Sequence, residues 1–337
     1  MLPPSNSRWR LLGAILTALF LLTSCSGGTS RPSAGPSADG VFPVTVTHKF
    51  GTTEIRARPQ RVVSLGYTDQ DAILALGVVP VAIREFTGQQ PSATWPWAQS
   101  MLQGQKPEVL PAGEVSTEAI AALRPDLIVG ISAGLTREQY ETYSGIAPVV
   151  AAPEQYVDYG TPWQDVTRMV GTALGKAPEA DELVTHLEAR FAAARAKYPA
   201  LAGKSVAGVR PSAADSSNYF VWGPQDLRAR FFSSLGMTVP PEFDRLAGDS
   251  FYATISTEEL SRLDTADVVV LITASAQERA TFETLPRYSA LKDVREGRVL
   301  APDDRQSAAL SFSSVLSLPE LLDAVPAQLA KVVTPAS

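Results

Sequence analysis

The chain has 337 residues, of which 45% are hydrophobic, and carries a formal net charge of −6 at pH 7. This length and apolar content suffice for two globular domains, whereas the acidic balance and the lack of a basic stripe argue against nucleic acid as a partner. A single cysteine rules out an intramolecular disulfide framework, so the folded state must be stabilised by packing.

The first segment of the chain predicts export and anchoring. Two arginines precede an apolar stretch, 11–22, which is too short for a permanent membrane helix but typical of a signal peptide. The stretch leads into Leu-Thr-Ser-Cys25, a pattern that resembles a bacterial lipobox and predicts cleavage before Cys25 and attachment of a lipid to its sulfur. Residues 26–43 are rich in Gly, Ser, Pro and Ala, which predicts a flexible tether. We therefore expect a protein anchored to the outer face of the cytoplasmic membrane.

From residue 61 onward, strand patterns alternate with helical ones, as is typical of α/β lobes with largely parallel sheets. The predicted strands are short runs rich in β-branched residues: 62–65, 79–83, 127–130, 149–150, 205–209, 268–272 and 298–300. A short helix, 69–76, separates the first two strands and ends before Gly77. The two halves of the chain follow the same order of elements, so we expect two similar lobes.

The segment between the lobes predicts a rigid connection. Residues 163–174 form one predicted helix, and a longer one runs from Pro178 to about Tyr198, because apolar residues recur there on one helical face. At 1.5 Å per residue the longer helix would be about 30 Å long, the size of a small domain. The predicted organisation is a signal peptide (1–24), a tether (25–43), an N-terminal lobe (44–175), a connecting helix (176–200) and a C-terminal lobe (201–337).

The chain contains an internal repeat. Segment 115–129 recurs as 255–270 with one inserted residue. In both copies Ser-Thr begins a helix, a glutamate lies in its first turn and a β-branched strand follows. These glutamates, Glu118 and Glu258, could be ordinary helix-start carboxylates. Their matching positions in two lobes instead favour a pair of surface carboxylates with a shared role.

Motifs for catalysis and metal binding are missing from the sequence. The two histidines, His48 and His186, have no partner at the spacing of a metal site or an activated nucleophile. Phosphate-binding loops, dinucleotide-binding glycines and nucleophile elbows are also missing. We therefore predict no catalytic residue, no metal site and no cofactor.

Arginines and aromatic residues follow several predicted strands, where ligands bind in open parallel sheets. The candidate ligand-binding residues share a position at a strand end or in a loop rich in proline and glycine: Tyr67, Arg84, Trp95, Trp97, Arg210, Trp222, Tyr252 and Arg305. Each aromatic residue alone is more often a core residue than a ligand contact. Together, rings beside arginines predict a cleft for a large, flat ligand that is partly anionic or rich in oxygen.

Several segments occur in the order of a known family: PQRVVSL (59–65), LALGV (74–78), EAIAALRPDLI (118–128), IAPV (146–149), GTALGK (171–176) and ALKDVREGRV (290–299). Over about 42–333 the chain resembles the substrate-binding lipoproteins of bacterial ABC importers for iron-siderophores, haem and cobalamin. Further segments are similar to the actinobacterial iron-siderophore branch: 48–51, 66–71, 95–97, 219–226 and 310–316.

This resemblance implies two Rossmann-like α/β lobes joined by one long helix, the class III periplasmic-binding-protein fold. It implies a monomeric, lipid-anchored receptor, rather than an enzyme, that binds a ferric siderophore in the cleft and delivers it to the permease dimer of an ABC importer. Glu118 and Glu258 would then contact arginines of the two permease subunits. A hydroxamate siderophore is favoured because the predicted rim is more aromatic than basic.

Other functions fit the sequence as well. A haem or a corrinoid would suit the same flat cleft, and Tyr67 could supply an axial ligand to haem. An anchored enzyme acting on the siderophore is a more distant alternative, since no nucleophile, base or flavin motif supports it. A sensory or adhesive lipoprotein that keeps the fold is another.

Overall fold

Two five-stranded sheets organise the residues that the computed structural model describes, which are 40–212, 215, 217–273 and 275–334. The predicted signal peptide, Cys25 and the tether before Gly40 lie outside these residues.

The N-terminal sheet is parallel throughout. A hairpin of β1 (Val44–His48) and β2 (Gly51–Ile55) precedes the sheet. The strands of the sheet are β3 (Val62–Ser64), β4 (Ala82–Arg84), β5 (Glu108–Leu110), β6 (Leu127–Gly130) and β7 (Val149–Ala151), in the order β5-β4-β3-β6-β7. The central strands β3 and β6 are buried along their whole length, which explains why they read as continuous apolar runs.

Helices cover this sheet. They are α1 (Asp69–Ala75), α2 (Pro96–Gln99), α3 (Thr117–Ala122) and α4 (Arg137–Ser144), with short 3₁₀ turns at Pro91–Ala93 and Ser100–Leu102. Glu118 lies in the first turn of α3, where the Ser116 hydroxyl accepts a hydrogen bond from the Ala119 N–H. The first copy of the repeat therefore starts a helix, as the N-cap pattern predicts.

Two consecutive helices connect the sheets. Helix α5 (Trp163–Leu174) ends at Gly175, whose φ of 68° is the left-handed conformation common after helix ends. Helix α6 (Ala177–Lys197) then changes partners along its length. Ala180 packs into the core of the N-terminal sheet, whereas Leu187 and Phe191 pack into the core of the C-terminal sheet. Helix α6 is therefore shared by both cores.

The C-terminal sheet is mixed. Its strands are β8 (Val206–Pro211), β9 (Asn218–Trp222), β10 (Tyr252–Ser256), β11 (Val268–Leu271) and β12 (Val299–Leu300), in the order β10-β9-β8-β11-β12. Strands β8, β11 and β12 are parallel, but β9 runs antiparallel to both β8 and β10. The expectation that both halves follow the same order of elements is thus wrong at β9, because the N-terminal sheet has no antiparallel strand among the described residues.

The helices of this half are α7 (Leu227–Ser234), α8 (Pro241–Ala247), α9 (Ala276–Glu283), α10 (Pro286–Ser289), α11 (Lys292–Arg295), α12 (Asp304–Phe312) and α13 (Leu318–Val333). Further 3₁₀ segments are Pro199–Leu201 and Thr257–Thr265, and the second contains Glu258. Among the described residues, no helix combines the length and apolar character needed to cross a membrane.

Each copy of the repeat also contains, just before its strand, an aspartate that aligns the central strands. The Asp126 carboxylate accepts hydrogen bonds from the backbone N–H groups of Gln60 and Arg61, both at 2.8 Å. In the other sheet, Asp267 accepts from the N–H and the hydroxyl of Ser205, at 2.8 and 2.9 Å. In both sheets this carboxylate joins the amino ends of the two central strands, so the repeat reflects a shared way of fixing strand register.

Candidate ligand-binding site

The strand order places a crevice in each sheet. The strand order reverses between the parallel neighbours β3 and β6 in one sheet and between β8 and β11 in the other, and ligands bind at such points beyond the carboxyl ends of the strands. Thr68 follows β3, Ser132 follows β6, and Arg210 lies near the end of β8. All three line one cavity of about 230 Å³, which we call the inner cavity.

A second cavity, the outer cavity, adjoins it. Its volume is about 540 Å³, and Phe86, Arg210 and Ser311 line both cavities. Trp95 and Arg305 line the outer cavity only. The two spaces form one cleft between the sheets, with a size in the range of small-molecule sites.

Tyr67 is held against the wall of the inner cavity by Arg84. The Tyr67 hydroxyl donates to the Ala112 carbonyl at 2.9 Å and accepts from an Arg84 Nη at 3.0 Å, and the Arg84 guanidinium lies 4.3 Å from the centre of the Tyr67 ring. Arg84 also donates to the carbonyls of Ala112 and Gly113. Arg84 lines neither cavity, so it orients Tyr67 from behind rather than facing the cleft.

The C-terminal side of the inner cavity carries two arginines, Arg210 and Arg228, but a single carboxylate, Asp226. Arg228 forms a bidentate ion pair with Asp226, at 2.8 and 2.6 Å. Arg210 has no hydrogen bond or ion pair with any residue that the structure describes. Burial lowers the pKa of Arg210, as does the positive charge of Arg228, while Glu278 opposes the shift. A partly buried arginine without a partner favours a ligand that brings an anion or several lone pairs.

The tryptophans of the 95–97 segment have different roles. Trp95 lines the outer cavity and donates to the Thr87 carbonyl at 3.0 Å. Trp97 stacks on Trp95 at 5.2 Å with an angle of 5° between the rings, and its indole N–H donates to Asp71 at 2.9 Å. Trp97 lines neither cavity and therefore supports Trp95.

Trp222 does not line the cleft, which corrects the expectation from the sequence. Its side chain is 1% exposed and stacks on Phe232 of α7 at 5.8 Å. A Cβ atom on Gly208 would lie 1.9 Å from the indole, so the ring occupies the space that this glycine leaves. The alternation of β9 directs Trp222 to the face covered by α7, and Arg228 lies 5.3 Å above the ring.

Tyr252 is also displaced from the cleft, and Arg305 lies at its edge. The Tyr252 ring packs edge-to-face on Phe220 and Phe251, at 4.8 and 4.7 Å, and it is the neighbouring Phe251 that lines the inner cavity. The one-residue displacement follows from the alternation of side chains at a strand end. Arg305 lines the outer cavity, is exposed and is paired with Glu320 at 2.7 Å.

Several residues that line the inner cavity were not among the candidate ligand-binding residues: Phe86, Tyr159, Arg228, Phe251 and Ser311. Phe86 lies two positions after Arg84 at the same strand end and Phe251 precedes Tyr252, so the pattern that selected their neighbours also indicates these two rings. Arg228 and Ser311 lie on helices whose facing residues depend on packing. Tyr159 lies in a loop with no periodic pattern.

Two buried aspartates of α1 lie next to the cleft. Asp69 accepts hydrogen bonds from the N–H groups of Ile131 and Ser132, at 2.7 and 3.1 Å. Asp71 accepts from Trp97 and from the Ser314 hydroxyl, which comes from the C-terminal half. Burial raises the pKa of each aspartate to about 6, although these hydrogen bonds oppose the shift. Asp71 thus forms a buried polar contact between the halves.

Glu118 and Glu258 lie outside the cleft. Both are exposed, and neither carboxylate forms a hydrogen bond or ion pair with the residues that the structure describes. They are therefore accessible to a partner.

Another cavity, of about 620 Å³, lies beside α5, α6 and α7 and shares Leu227 with the inner cavity. It is lined mainly by polar residues such as Asp165 and Arg230, and Tyr156 donates to Asp165 at 2.7 Å. Within the described ranges, no group of three or more His, Cys, Asp or Glu residues could hold a metal ion. The cleft remains the better candidate because the two strand-order reversals meet there.

Comparison with known proteins agrees with this geometry. The chain is 28% identical over 312 residues to "Probable siderophore-binding lipoprotein YfiY" of Bacillus subtilis (strain 168), covering 87% of this chain and 90% of that protein. A periplasmic solute binding protein from Mycobacterium smegmatis has a similar structure, with a TM-score of 0.77, 35% identity, and coverage of 86% of this chain and 99% of that one.

A further solved structure is Streptococcus pneumoniae PiaA in complex with ferrichrome, at a TM-score of 0.75 and 28% identity, covering 87% of this chain and 100% of that one. These structures confirm the predicted fold of two α/β lobes. The periplasmic binding protein family matches residues 62–305. The chain belongs to the periplasmic binding protein family.

Proposed function

We propose that this protein is a receptor that binds a ferric siderophore in the cleft and delivers it to an ABC importer for iron uptake. The observation that carries the proposal is Arg210, a cation that forms no hydrogen bond or ion pair with the described residues and lines both cavities among aromatic rings. The names of the relatives support it, since one is a probable siderophore-binding lipoprotein and another was solved with ferrichrome.

The cleft suits capture of the ligand without chemical conversion. A siderophore saturates its iron with its own oxygen atoms, so the protein need supply no metal ligand. Arg210 can donate hydrogen bonds to these oxygens, while Tyr67, Phe86 and Trp95 cover the apolar parts of the chelator. Affinities from micromolar to nanomolar correspond to about −8 to −12 kcal/mol, which a few such contacts can provide.

The charge of the inner cavity favours a hydroxamate. Arg210 and Arg228 are balanced there by Asp226 alone, which leaves one net positive charge among these three. A ferric tris-catecholate is trianionic, whereas a ferric tris-hydroxamate is neutral and still presents a cluster of oxygen atoms. Burying a trianion beside one unpaired cation would leave most of its charge uncompensated.

The haem alternative is less well supported. Tyr67 was the candidate axial ligand, but its hydroxyl already donates to Ala112 and accepts from Arg84. Coordination of iron by Tyr67 would require both bonds to break.

Ligand titration tests the proposal. We expect saturable quenching of tryptophan fluorescence by ferrichrome, weaker quenching by a ferric tris-catecholate, and recovery of the ligand chemically unchanged. A Soret band on adding haemin, without quenching by any ferric siderophore, would support the haem reading instead. Chromatography that shows a modified siderophore would point to an enzyme.

Anchoring and delivery complete the proposed function. Cys25 would carry a lipid, and a monomer would present Glu118 and Glu258 to the two permease subunits. Cys25→Ala should release the protein from membranes without changing its fold, because a thioether-linked lipid needs that sulfur. Retention of the variant in membranes after a high-salt wash would contradict the anchor.

A further inference from the structure

The backbone of Tyr159 is strained. Residues 157–160 form a turn in which the Gly160 N–H donates to the Val157 carbonyl at 2.9 Å, and Tyr159 at the third position has a φ of 64°. This left-handed conformation favours glycine and costs another residue about 1 kcal/mol or more. A tyrosine at a position that suits glycine points to a role for its side chain.

The Tyr159 ring fits a slot in the N-terminal half. Its hydroxyl donates to the Ala133 carbonyl at 3.3 Å, and its ring stacks on Tyr67 at 6.0 Å with an angle of 24°. Gly134 makes room for it, because a Cβ atom there would lie 2.3 Å from the Tyr159 hydroxyl oxygen. The surroundings therefore hold the ring in one position.

The same ring reaches the C-terminal half. It packs edge-to-face on Phe251, just before β10, at 6.0 Å and 63°. Tyr159, Tyr67 and Phe251 all line the inner cavity. A ligand in this cavity would thus touch a ring that contacts both halves of the molecule at once.

We propose that Tyr159 is a specificity-determining residue that packs against an apolar segment of the ligand and couples this contact to the closure of the two lobes. This inference rests on the proposed function, because it assumes that the cleft binds the ligand. The strained turn fixes the ring where ligand and Phe251 can both reach it, and Arg210 faces the oxygen-rich part of the ligand from the other wall.

Three substitutions separate this role from a merely structural one. Tyr159→Phe keeps the ring, Tyr159→Ala removes the ring but keeps the strain, and Tyr159→Gly removes both. We expect Tyr159→Phe to bind within about threefold of the wild type, and the other two to bind at least about tenfold more weakly. The melting temperature of the ligand-free Gly variant should exceed that of the Ala variant, because glycine adopts this φ freely.

Gln103 provides a matched control. It is exposed, lies outside both cavities and has a φ of 52°. Gln103→Gly should raise the melting temperature without changing affinity. Tyr159→Gly should instead separate the two properties by losing affinity while relieving strain.

Lobe closure is measured without ligand as well as with it. Spin labels at Ser144→Cys and Ala290→Cys, both exposed and one in each half, can be placed in a Cys25→Ser chain, since Cys25 is the only native cysteine. We expect a broader distance distribution in ligand-free Tyr159→Gly than in the Tyr159 parent, and less narrowing when the ligand is added.

The outcomes are distinguishable. Ferrichrome, ferric citrate and a ferric tris-catecholate are first titrated into the wild type, and the tightest binder is used for the variants. If none binds, the proposed function fails, and the ligand-free distances still test the coupling. If the wild type binds and Tyr159→Gly binds within about threefold of it, or if the two distance distributions coincide, the inference about Tyr159 is wrong.

Discussion

The two walls of the cleft use arginine in different ways. On the N-terminal wall, Arg84 at the end of β4 is bonded to Tyr67 and to carbonyls of the segment after β5, so the wall presents a ring and little charge. On the C-terminal wall, Arg210 near the end of β8 finds no such carbonyls and remains without a partner among the described residues. The same residue type at comparable strand ends thus supports a wall in one half and lines the cleft in the other. The difference lies in the neighbouring loop, since the segment after β5 offers Arg84 the carbonyls of Ala112 and Gly113.

The tryptophans of the walls provide the largest test of this contrast. Trp222→Ala should lower the free energy of unfolding by about 3–5 kcal/mol, the range for truncating a buried aromatic residue, because it empties the core beneath Arg228. Urea denaturation measures this change. Trp95→Ala is the control. Because the Trp95 ring is partly exposed in the outer cavity, its removal should lower the free energy of unfolding much less. An unchanged stability together with lost affinity would place Trp222 in the cleft after all.

The arginines test the contrast directly. Arg210→Ala should weaken siderophore binding by about 2 kcal/mol, close to 30-fold, with little effect on melting temperature, because its guanidinium bonds to no described residue. Arg84→Ala should lower the melting temperature more and affinity less, since it frees the Tyr67 ring. Fluorescence titration and thermal melts measure both properties. An equal loss of affinity without destabilisation would show that both walls present a cation to the ligand.

The two buried aspartates lie in different places: Asp69 bonds within the N-terminal wall, whereas Asp71 bonds across to the C-terminal wall. Because the pKa of Asp69 and Asp71 is about 6 in the folded protein and near 3.8 normally, the folded state binds these protons more tightly. The stability that this tighter proton binding gives to the folded state is therefore fully present below pH 3.8 and is lost as the pH rises through about 6. Lowering the pH from about 7.5 to about 5 should add roughly 1 kcal/mol of stability per group.

Asp71→Asn should remove the Asp71 part of this pH dependence, as measured by urea denaturation across the range. An unaltered slope would mean that Asp71 is not the group that titrates.

The smallest effect on binding is expected outside both walls. Replacing Glu118 and Glu258 by Ala should change siderophore affinity by less than about 1 kcal/mol, because exposed carboxylates contribute little to a distant cleft, yet it should abolish uptake by cells. Glu141→Ala, another exposed acid, is the control and should preserve uptake. A large loss of affinity would place these glutamates in the binding site.

Sequence patterns located the elements that are buried on both faces or strongly amphipathic. Strand β6 and helix α5 have the predicted bounds, because continuous apolar runs and helical periodicity are strong signals. The antiparallel strands β1, β2, β9 and β10 were missed, since short half-buried strands resemble loops. Trp222 was placed in the cleft because the sequence does not show which face of β9 a helix will cover.

Asp126 and Asp267 bond at the amino edges of the two sheets, opposite the edges that form the cleft. The alignment of the central strands is therefore secured by groups that do not line the cleft. Loops at the opposite edge can change in length and composition over evolutionary time while the strand register persists. For engineering, this separation means that grafting cleft loops from a relative onto this scaffold should alter which cargo is selected before it alters whether the chain folds.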